Sequence, residues 1–164
     1  SMKEFIGRHS LSEKTKGVLA NRLFADQRLS ELQSLLQEEA HSLSPALRQV
    51  QARWLMYQGN VVQAISTLES SSPSMEDTPE YYALLASFYQ RSGQSAKAFD
   101  QYSQLIQSNE TVADWWAGLG VSADQLKQSR QAKFAYQQAL ELPGLNSALD
   151  SYIRQRLSAL SSVR

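Results

Sequence analysis

The run YALLASFYQRSGQSAKAFDQY, from Tyr82 to Tyr102, carries the pattern that decides the fold. Its small residues and its last aromatic ring return at a fixed distance along the chain. Three sets of residues share a spacing of 34: Ala64, Ala98 and Ala132; Ala52, Ala86 and Gly120; Leu68, Tyr102 and Tyr136. A 34-residue period with a small residue at two places and a large one at a third indicates repeated helix pairs, which bury their apolar faces only by stacking.

This stretch resembles the tetratricopeptide repeat (TPR) consensus W-x2-L-G-x2-Y…G…A-x3-F/Y. The next repeat matches with Trp116, Leu119-Gly120, Ala132, Tyr136 and Ala139, but has Ala123 and Lys127 where an aromatic residue and a glycine are usual. The preceding repeat keeps only Ala52, Gly59, Ala64 and Leu68. The N-terminal pair is degenerate, with Gln27 at the turn and Leu32 at the helix crossing.

The resemblance implies an all-α fold, a TPR-type right-handed superhelix of about nine helices: four pairs and a C-terminal capping helix. Residues 1–12 are expected to be a flexible lead-in, with Ser1-Met2 as a cloning remnant. A single solenoid domain is predicted over 13–160. Its repeats lie at about 13–41, 45–70, 79–108 and 112–142, and its capping helix at 147–160.

Capping signals support these boundaries. Ser10 and Glu13 form a predicted capping box, and both Ser44-Pro45 and Thr78-Pro79 combine an N-cap residue with proline in the first turn. Gly59 suits a helix C-terminus. The capping helix is expected to close the solenoid with Leu149, Tyr152, Ile153 and Leu157.

The composition argues against several functions. Sixteen basic and sixteen acidic residues cancel, so no basic footprint for nucleic acid is present. There is no cysteine, and His9 and His41 are the only histidines, which makes catalysis or a metal site improbable. No run is apolar enough to span a bilayer. We therefore expect a non-enzymatic protein without cofactor, metal, nucleic-acid partner or membrane contact of its own.

The first helix of each TPR pair lines the concave face, and this predicts the residues of a partner-binding groove. The candidates are Arg53, Met56, Tyr57, Ala83, Ser87, Gln90, Arg91, Ala117, Val121 and Asp124, with Gln49, Asn21 and Phe24 continuing the row. Such a surface suits an extended or helical peptide with apolar anchors and a carboxylate.

Each candidate also has a purely structural interpretation. Met56, Tyr57 and Phe24 could simply pack between helices, and Arg53 and Arg91 could be solvated charges. Trp115 and Tyr81 precede the consensus aromatic residues, and they either fill the seam against the preceding repeat or form an exposed hot spot. TPR adaptors that grip the carboxylate of chaperone peptides use Lys, Asn and Arg at groove positions. This chain has Ala83, Ser87, Ala117 and Val121 there, so capture of a chaperone tail is improbable.

Residues 81–157 show a narrower resemblance, carried by Tyr81-Tyr82, by Trp115-Trp116 and by the helix that follows the last repeat. They are similar to the C-terminal part of the TPR protein family of mannose-sensitive haemagglutinin (MSHA) type IV pilus biogenesis. The resemblance implies a scaffold that binds another pilus-assembly protein at the periplasmic face of the inner membrane, through a membrane segment outside this sequence. A cytoplasmic location stays open. The alternative is a self-associating structural spacer, such as a homodimer, without a peptide ligand.

Overall fold

The computed structural model describes residues 11–162, and this range folds into nine α-helices without a strand. The helices are α1 Glu13–Ala25, α2 Leu29–Glu38, α3 Pro45–Tyr57, α4 Val61–Glu69, α5 Pro79–Arg91, α6 Ser95–Ser108, α7 Ala113–Gln125, α8 Ser129–Glu141 and α9 Ser147–Ser162. Short turns join α1 to α2, α3 to α4, α5 to α6 and α7 to α8, so the predicted helix pairs are confirmed.

The chain divides into two compact units at the boundary between Pro73 and Ser74. Unit 1 contains α1 to α4 and unit 2 contains α5 to α9. The boundary falls in the polar loop between α4 and α5. The division into one solenoid domain over 13–160, with the repeat limits given above, stays a prediction.

The 34-residue sets occupy equivalent places in successive helices. Ala64, Ala98 and Ala132 are each the fourth residue of a second helix, and all three are fully buried. The set Ala52, Ala86 and Gly120 takes the eighth place in α3, α5 and α7, and the set Leu68, Tyr102 and Tyr136 takes the eighth place in α4, α6 and α8. The repeat pattern is therefore a pattern of buried positions.

Each unit has its own core. In unit 1 the core consists mostly of leucines from α1, α2 and α3, including Leu23, Leu32 and Leu47. In unit 2 one cluster joins α7, α8 and α9 through alanines, Tyr136 and Ile153. Alanines at the crossings allow the helix axes to approach closely around the few large side chains.

Two glycines inside α7 receive the rings of the repeat tyrosines. A Cβ added at Gly118 would overlap the ring of Tyr102, and one added at Gly120 would overlap the ring of Tyr136. Burial disfavours the phenolate and therefore raises the pKa of both tyrosines. The pKa of Tyr102 rises to about 12, and that of Tyr136 rises as well. The glycines therefore make room for rings rather than conferring flexibility.

The turns between paired helices share a left-handed residue. Gly59 and Gly93 have φ of 83° and 79°, as the glycine signal predicts. Lys127 and Gln27 hold the corresponding places with φ of 62° and 56°. The two departures from the consensus therefore keep the turn geometry, at the conformational cost of a Cβ in this region.

The caps follow the sequence signals in part. Ser44 accepts a hydrogen bond from the backbone N–H of Leu47, as predicted. Ser10 lies outside the described residues, and α1 is capped by Ser12, which accepts from Thr15 N–H. Thr78 is the N-cap residue of α5 with Pro79 in the first turn, as predicted, but its hydroxyl caps no backbone N–H and donates to the Ser74 carbonyl instead.

The capping helix is present and runs to Ser162. Ile153 is fully buried, and Leu149 and Leu157 pack against the core of unit 2. The expectation for Tyr152 is wrong, because 41% of this residue is exposed. Burial of Ile153 on one side of α9 turns the neighbouring Tyr152 towards solvent.

Candidate partner-binding surface

The predicted groove residues lie on three first helices. Arg53, Met56 and Tyr57 are on α3 in unit 1, and the other seven candidates are on α5 and α7 in unit 2. Of the residues that continue the row, Gln49 is also on α3, and Asn21 and Phe24 are on α1. Each unit therefore carries its own part of the candidate surface.

In unit 1 an apolar cleft opens beside Tyr57. Its volume is about 240 Å³, and it is lined by Phe24, Ala25, Gln27, Leu29 and Tyr57. The rings of Phe24 and Tyr57 meet edge to face, with centroids 6.3 Å apart, yet Tyr57 remains 67% exposed. The two rings pack on each other, as the structural interpretation predicts, and Tyr57 still offers apolar surface to solvent, so its role in binding a partner stays a prediction.

The other groove candidates of unit 1 are less accessible. Arg53 Nη1 donates to Asn21 Oδ1 at 3.2 Å, which ties α3 to α1. Asn21 in turn donates to the carbonyl of Gly17. Met56 is half-buried, and the prediction that Gln49 lines the groove is wrong, because only 7% of it is exposed. The accessible part of this surface is therefore Tyr57 and the cleft beside it.

In unit 2 a buried hydrogen-bond network joins α5 to α7. Gln90 Nε2 donates to the Gly118 carbonyl at 2.6 Å and to Ser122 Oγ at 2.8 Å. Ser122 is fully buried and donates to the same carbonyl. The hydroxyl of Ser87 donates to the Leu84 carbonyl of its own helix. The side-chain donors of Gln90 and Ser87 are therefore hydrogen-bonded within the unit and are not directed at a ligand.

Asp124 is held in a similar contact between α7 and α9. Both of its oxygens accept hydrogen bonds from Arg156, at 2.7 and 2.9 Å, and Oδ2 also accepts from the hydroxyl of Tyr136 at 3.1 Å. The Arg156 guanidinium lowers the pKa of Asp124. Asp124 is therefore already paired, and its predicted role as a groove carboxylate open to a partner is not supported by this geometry.

The contact of Gln90 with Ser122 and the contact of Asp124 with Arg156 occupy equivalent positions in successive repeats. Gln90 reaches Ser122, and Asp124 reaches Arg156, each across 32 residues of sequence. Each contact joins the twelfth residue of one first helix to the tenth residue of the following one. Helix α9 thus takes the position of a next first helix.

The remaining candidates of unit 2 differ in exposure. Ala117 is only 1% exposed and belongs to the core, so its predicted contact with a partner would require the core to open. Ala83 and Val121 are half-buried. Arg91 is exposed and forms no hydrogen bond or ion pair with the part of the chain that the structure describes.

The doubled aromatic residues are mostly internal. Tyr81 is fully buried, which fits the seam interpretation, and Trp115 is half-buried. Trp116 donates from its indole nitrogen to the Glu110 carbonyl, and its ring meets the half-exposed ring of Phe134 at 5.8 Å. None of these residues forms a fully exposed hot spot.

Sequence reasoning missed the cleft residues Ala25, Gln27 and Leu29. It also missed Arg156, the partner of Asp124. The signal for the cleft was present, because Gln27 occupies the turn position and an aromatic residue precedes it by three places. Arg156 carries no local signal, since its contact depends on the packing of α9.

The described range contains neither a metal-binding cluster nor a helix that could span a membrane. Over residues 11–162, no three residues among His, Asp and Glu are grouped closely enough to hold a metal ion. No helix in this range combines the length and the apolar character needed to cross a bilayer. His41 is exposed, and His9 lies outside the described residues.

Comparison with known proteins agrees with this geometry. A family model described as tetratricopeptide repeat matches residues 113–143, which cover α7, α8 and the turn between them. The chain has a TPR-type fold. A search of curated proteins gives no match to the sequence.

Solved TPR structures are similar over most of the chain. MamA 41-end from Desulfovibrio magneticus RS-1 has 16% identity and a TM-score of 0.70, with coverage of 91% of this chain and 83% of that chain. MamA MSR-1 C2 has 18% identity and a TM-score of 0.65, with coverage of 91% and 87%. The first TPR of Spaghetti (RPAP3), bound to the HSP90 peptide SRMEEVD, has 21% identity and a TM-score of 0.63, with coverage of 72% and 94%. At these identities the likeness concerns the fold alone.

Proposed function

We propose that this chain is a protein-binding scaffold whose TPR-type fold holds a segment of a partner protein. The observation that carries the proposal is the exposed Tyr57 beside the apolar cleft of unit 1. An aromatic ring with two-thirds of its area in solvent adds nothing comparable to the core, but it is the kind of anchor on which interfaces depend. Arg91, exposed and without a partner in the described range, provides a second contact point in unit 2.

The chemistry of the partner segment follows from the cleft of unit 1. A cleft of about 240 Å³ is smaller than the 300–1,000 Å³ typical of small-molecule sites, and larger than the roughly 150 Å³ cavity that accepts benzene. It suits one aromatic or branched aliphatic side chain of a partner. Because Ser87 is internally bonded and Ala83 and Val121 offer no donor, we do not propose a chaperone-tail ligand.

The proposed setting is assembly of an MSHA-type type IV pilus. In that setting the chain lies at the periplasmic face of the inner membrane and binds another pilus-assembly protein. The support is the resemblance over residues 81–157. We propose no catalytic role.

A capture experiment tests this function. The chain is immobilised and exposed to an envelope extract of a piliated strain, and we expect it to retain a pilus-assembly protein. Tyr57→Ala should reduce the retained amount at least fivefold, whereas Val62→Ala, which trims an equally exposed apolar side chain of unit 1, should not. Recovery of no pilus component, together with normal piliation in a deletion strain, would contradict the pilus role.

The self-associating spacer remains the second candidate. Self-association of this kind needs an apolar surface at one end of the stacked helices that a second copy can cover. In the described part of α1 and α2, however, Val18 is the one large apolar side chain more than half exposed. Contact between copies would therefore need a surface of another kind.

A further inference from the structure

Unit 2 carries most of its exposed charges on two opposite edges, and Asp100 in α6 and Arg154 in α9 are the exceptions among its described residues. The acidic edge lies where α5 and α7 begin and where α8 ends. Its members are all exposed, and none has an ion pair within residues 11–162: Glu76, Asp77, Glu80, Glu110, Asp114 and Glu141. Glu76 and Glu110 stand in the same place in successive repeats, three residues before a first helix.

The basic edge lies at the opposite end of the same helices, around the two tight turns. Arg91 and Lys97 flank the turn from α5 to α6, and Lys127 and Arg130 belong to the turn from α7 to α8. All four are exposed. A hydrogen bond of 2.7 Å from Ser95 Oγ to Gln125 Oε1 holds the two turns together, so their cations share one edge.

The helix dipole favours Glu80 and Asp114 in first turns and Arg91 in a last turn, but it does not account for the cations at the start of α6 and α8. Lys97 and Arg130 lie in the first turns of α6 and α8, where the helix dipole disfavours a cation. Neither first turn contains an acidic residue. The Lys97 ammonium lies over the ring of Tyr89, 5.3 Å from its centroid, which offsets this cost, whereas Arg130 costs the start of α8 a little stability.

The two edges cannot neutralise one another within the unit. A 13-residue helix separates them by about 20 Å, whereas charges are screened beyond about 8 Å at physiological ionic strength. The net charge of the whole chain is zero, so no general repulsion keeps two copies apart.

We propose that the basic edge of unit 2 docks on the acidic edge of a second copy. The occupant is argued from charge complementarity, because the same unit presents both surfaces over the same two repeats. The contact is head to tail, so a pair of docked copies still has one basic edge and one acidic edge available. Further copies can dock on these edges, and short chains can form. This surface is separate from the cleft beside Tyr57 but shares Arg91 with the proposed partner contacts, so the variants below leave both Tyr57 and Arg91 unchanged.

Sedimentation velocity of the full chain tests the proposal. At about 100 µM protein and about 20 mM salt, we expect the sedimentation coefficient to rise with concentration, and at about 300 mM salt we expect the 18.4-kDa monomer. The variant K127E/R130E should stay monomeric at low salt. Glu at position 130 suits the helix dipole, but Lys127 interacts with the Asp124 carboxylate, so a cooperative urea transition of this variant is the control that it is folded.

The opposite reversal provides a complementary variant. E76K/E110K changes two loop residues of the acidic edge and should also stay monomeric at low salt. An equimolar mixture of the two variants should associate again, because the acidic edges of one then face the basic edges of the other. The control K14E/R22E has the same net charge as K127E/R130E but alters unit 1, and it should associate like the unmodified chain.

Three results would overturn the proposal: a monomer at low salt, association that persists at high salt, or failure of the mixture to associate. Binding of polyglutamate to a monomeric chain, lost in K127E/R130E, would assign the edge to an acidic partner instead. The test is independent of the proposed function, since K127E/R130E retains Tyr57 and should capture the pilus protein normally.

Discussion

Units 1 and 2 are built from the same helix pair but with different residues at the crossings. In unit 2 the fourth residues of α6 and α8 are the alanines Ala98 and Ala132, at a strict distance of 34. In unit 1 the fourth residue of α4 is again an alanine, Ala64, but the fourth residue of α2 is Leu32, and the turn residues Gln27 and Gly59 are 32 apart. Leu32 is nonetheless fully buried. The comparison shows that the fold requires a buried side chain at the fourth position of each second helix. The size of that side chain can vary when the neighbouring side chains pack around it.

The two units also differ in how they use the face of their first helices. Unit 2 commits Gln90 and Asp124 to contacts with the following helix. Unit 1 leaves Tyr57 exposed beside a cleft. The first helix of a pair can therefore present either polar side chains that are hydrogen-bonded to the following first helix or an exposed apolar surface.

The largest expected effect concerns the ring at the crossing. Tyr102→Ala should lower the free energy of unfolding by about 3–5 kcal/mol, because it empties a buried site in the core of unit 2. The matched change Tyr57→Ala in unit 1 removes an exposed ring and should cost less than about 0.5 kcal/mol. Urea denaturation measures both. Equal losses would mean that Tyr57 is part of the core and would remove the contrast between the units.

The second largest effect tests whether Gly118 of α7 makes room for the ring of Tyr102. Glycine to alanine inside a helix ordinarily stabilises by about 0.5–1 kcal/mol. Gly118→Ala should instead destabilise by about 1–3 kcal/mol, because the new Cβ overlaps the Tyr102 ring. In a double-mutant cycle Tyr102→Leu should relieve part of this loss. An additive cycle would show that the ring does not occupy the space above Gly118.

A smaller effect concerns the seam at Asp124. Its pKa lies below the ordinary value because Arg156 donates to the carboxylate, so the ion pair contributes stability above the unfolded-state pKa near 4. That contribution is lost as the pH falls through the folded-state pKa. Asp124→Asn should cost about 1 kcal/mol at pH 7 and should narrow the difference between urea midpoints at pH 7 and pH 3. The control Asp100→Asn should keep the pH dependence of the unmodified chain. An unchanged pH dependence in Asp124→Asn would argue against the seam.

The smallest effect compares the turns of the two units directly. Lys127→Gly and Gln27→Gly should each stabilise by about 0.5–1 kcal/mol, since both residues hold φ in the left-handed region. Gly93→Ala should have the opposite sign. Thermal melts of the three variants are sufficient. If Gln27→Gly destabilises, the turn of unit 1 is not equivalent to those of unit 2.

The sequence predicts periodic features well and contacts between distant residues poorly. The burial of Ala64, Ala98 and Ala132 follows from spacing alone, because a small residue that recurs at a fixed period in stacked helices lies where two helices cross closely. The pairing of Asp124 with Arg156 does not follow, because it depends on how α9 packs against α7. The burial of Ala117 likewise depends on a neighbouring helix.

Errors at helix ends have a similar origin. A hydroxyl at the N-cap position has more than one acceptor or donor within reach. Thr78 illustrates this, since its hydroxyl bonds to a carbonyl of the preceding turn rather than capping α5. The choice is made by the backbone angles of the loop, which the sequence alone does not specify.

The central claim is that this chain holds a partner protein on the exposed surface of its first helices. Site-specific photo-cross-linking in a piliated strain tests it most directly, with the photoreactive residue at Tyr57, at Arg91 or at the exposed Gln104 of the second helix α6. We predict a cross-linked pilus-assembly protein from positions 57 and 91 and none from position 104. Cross-links from position 104 alone, or from none of the three, would contradict the account.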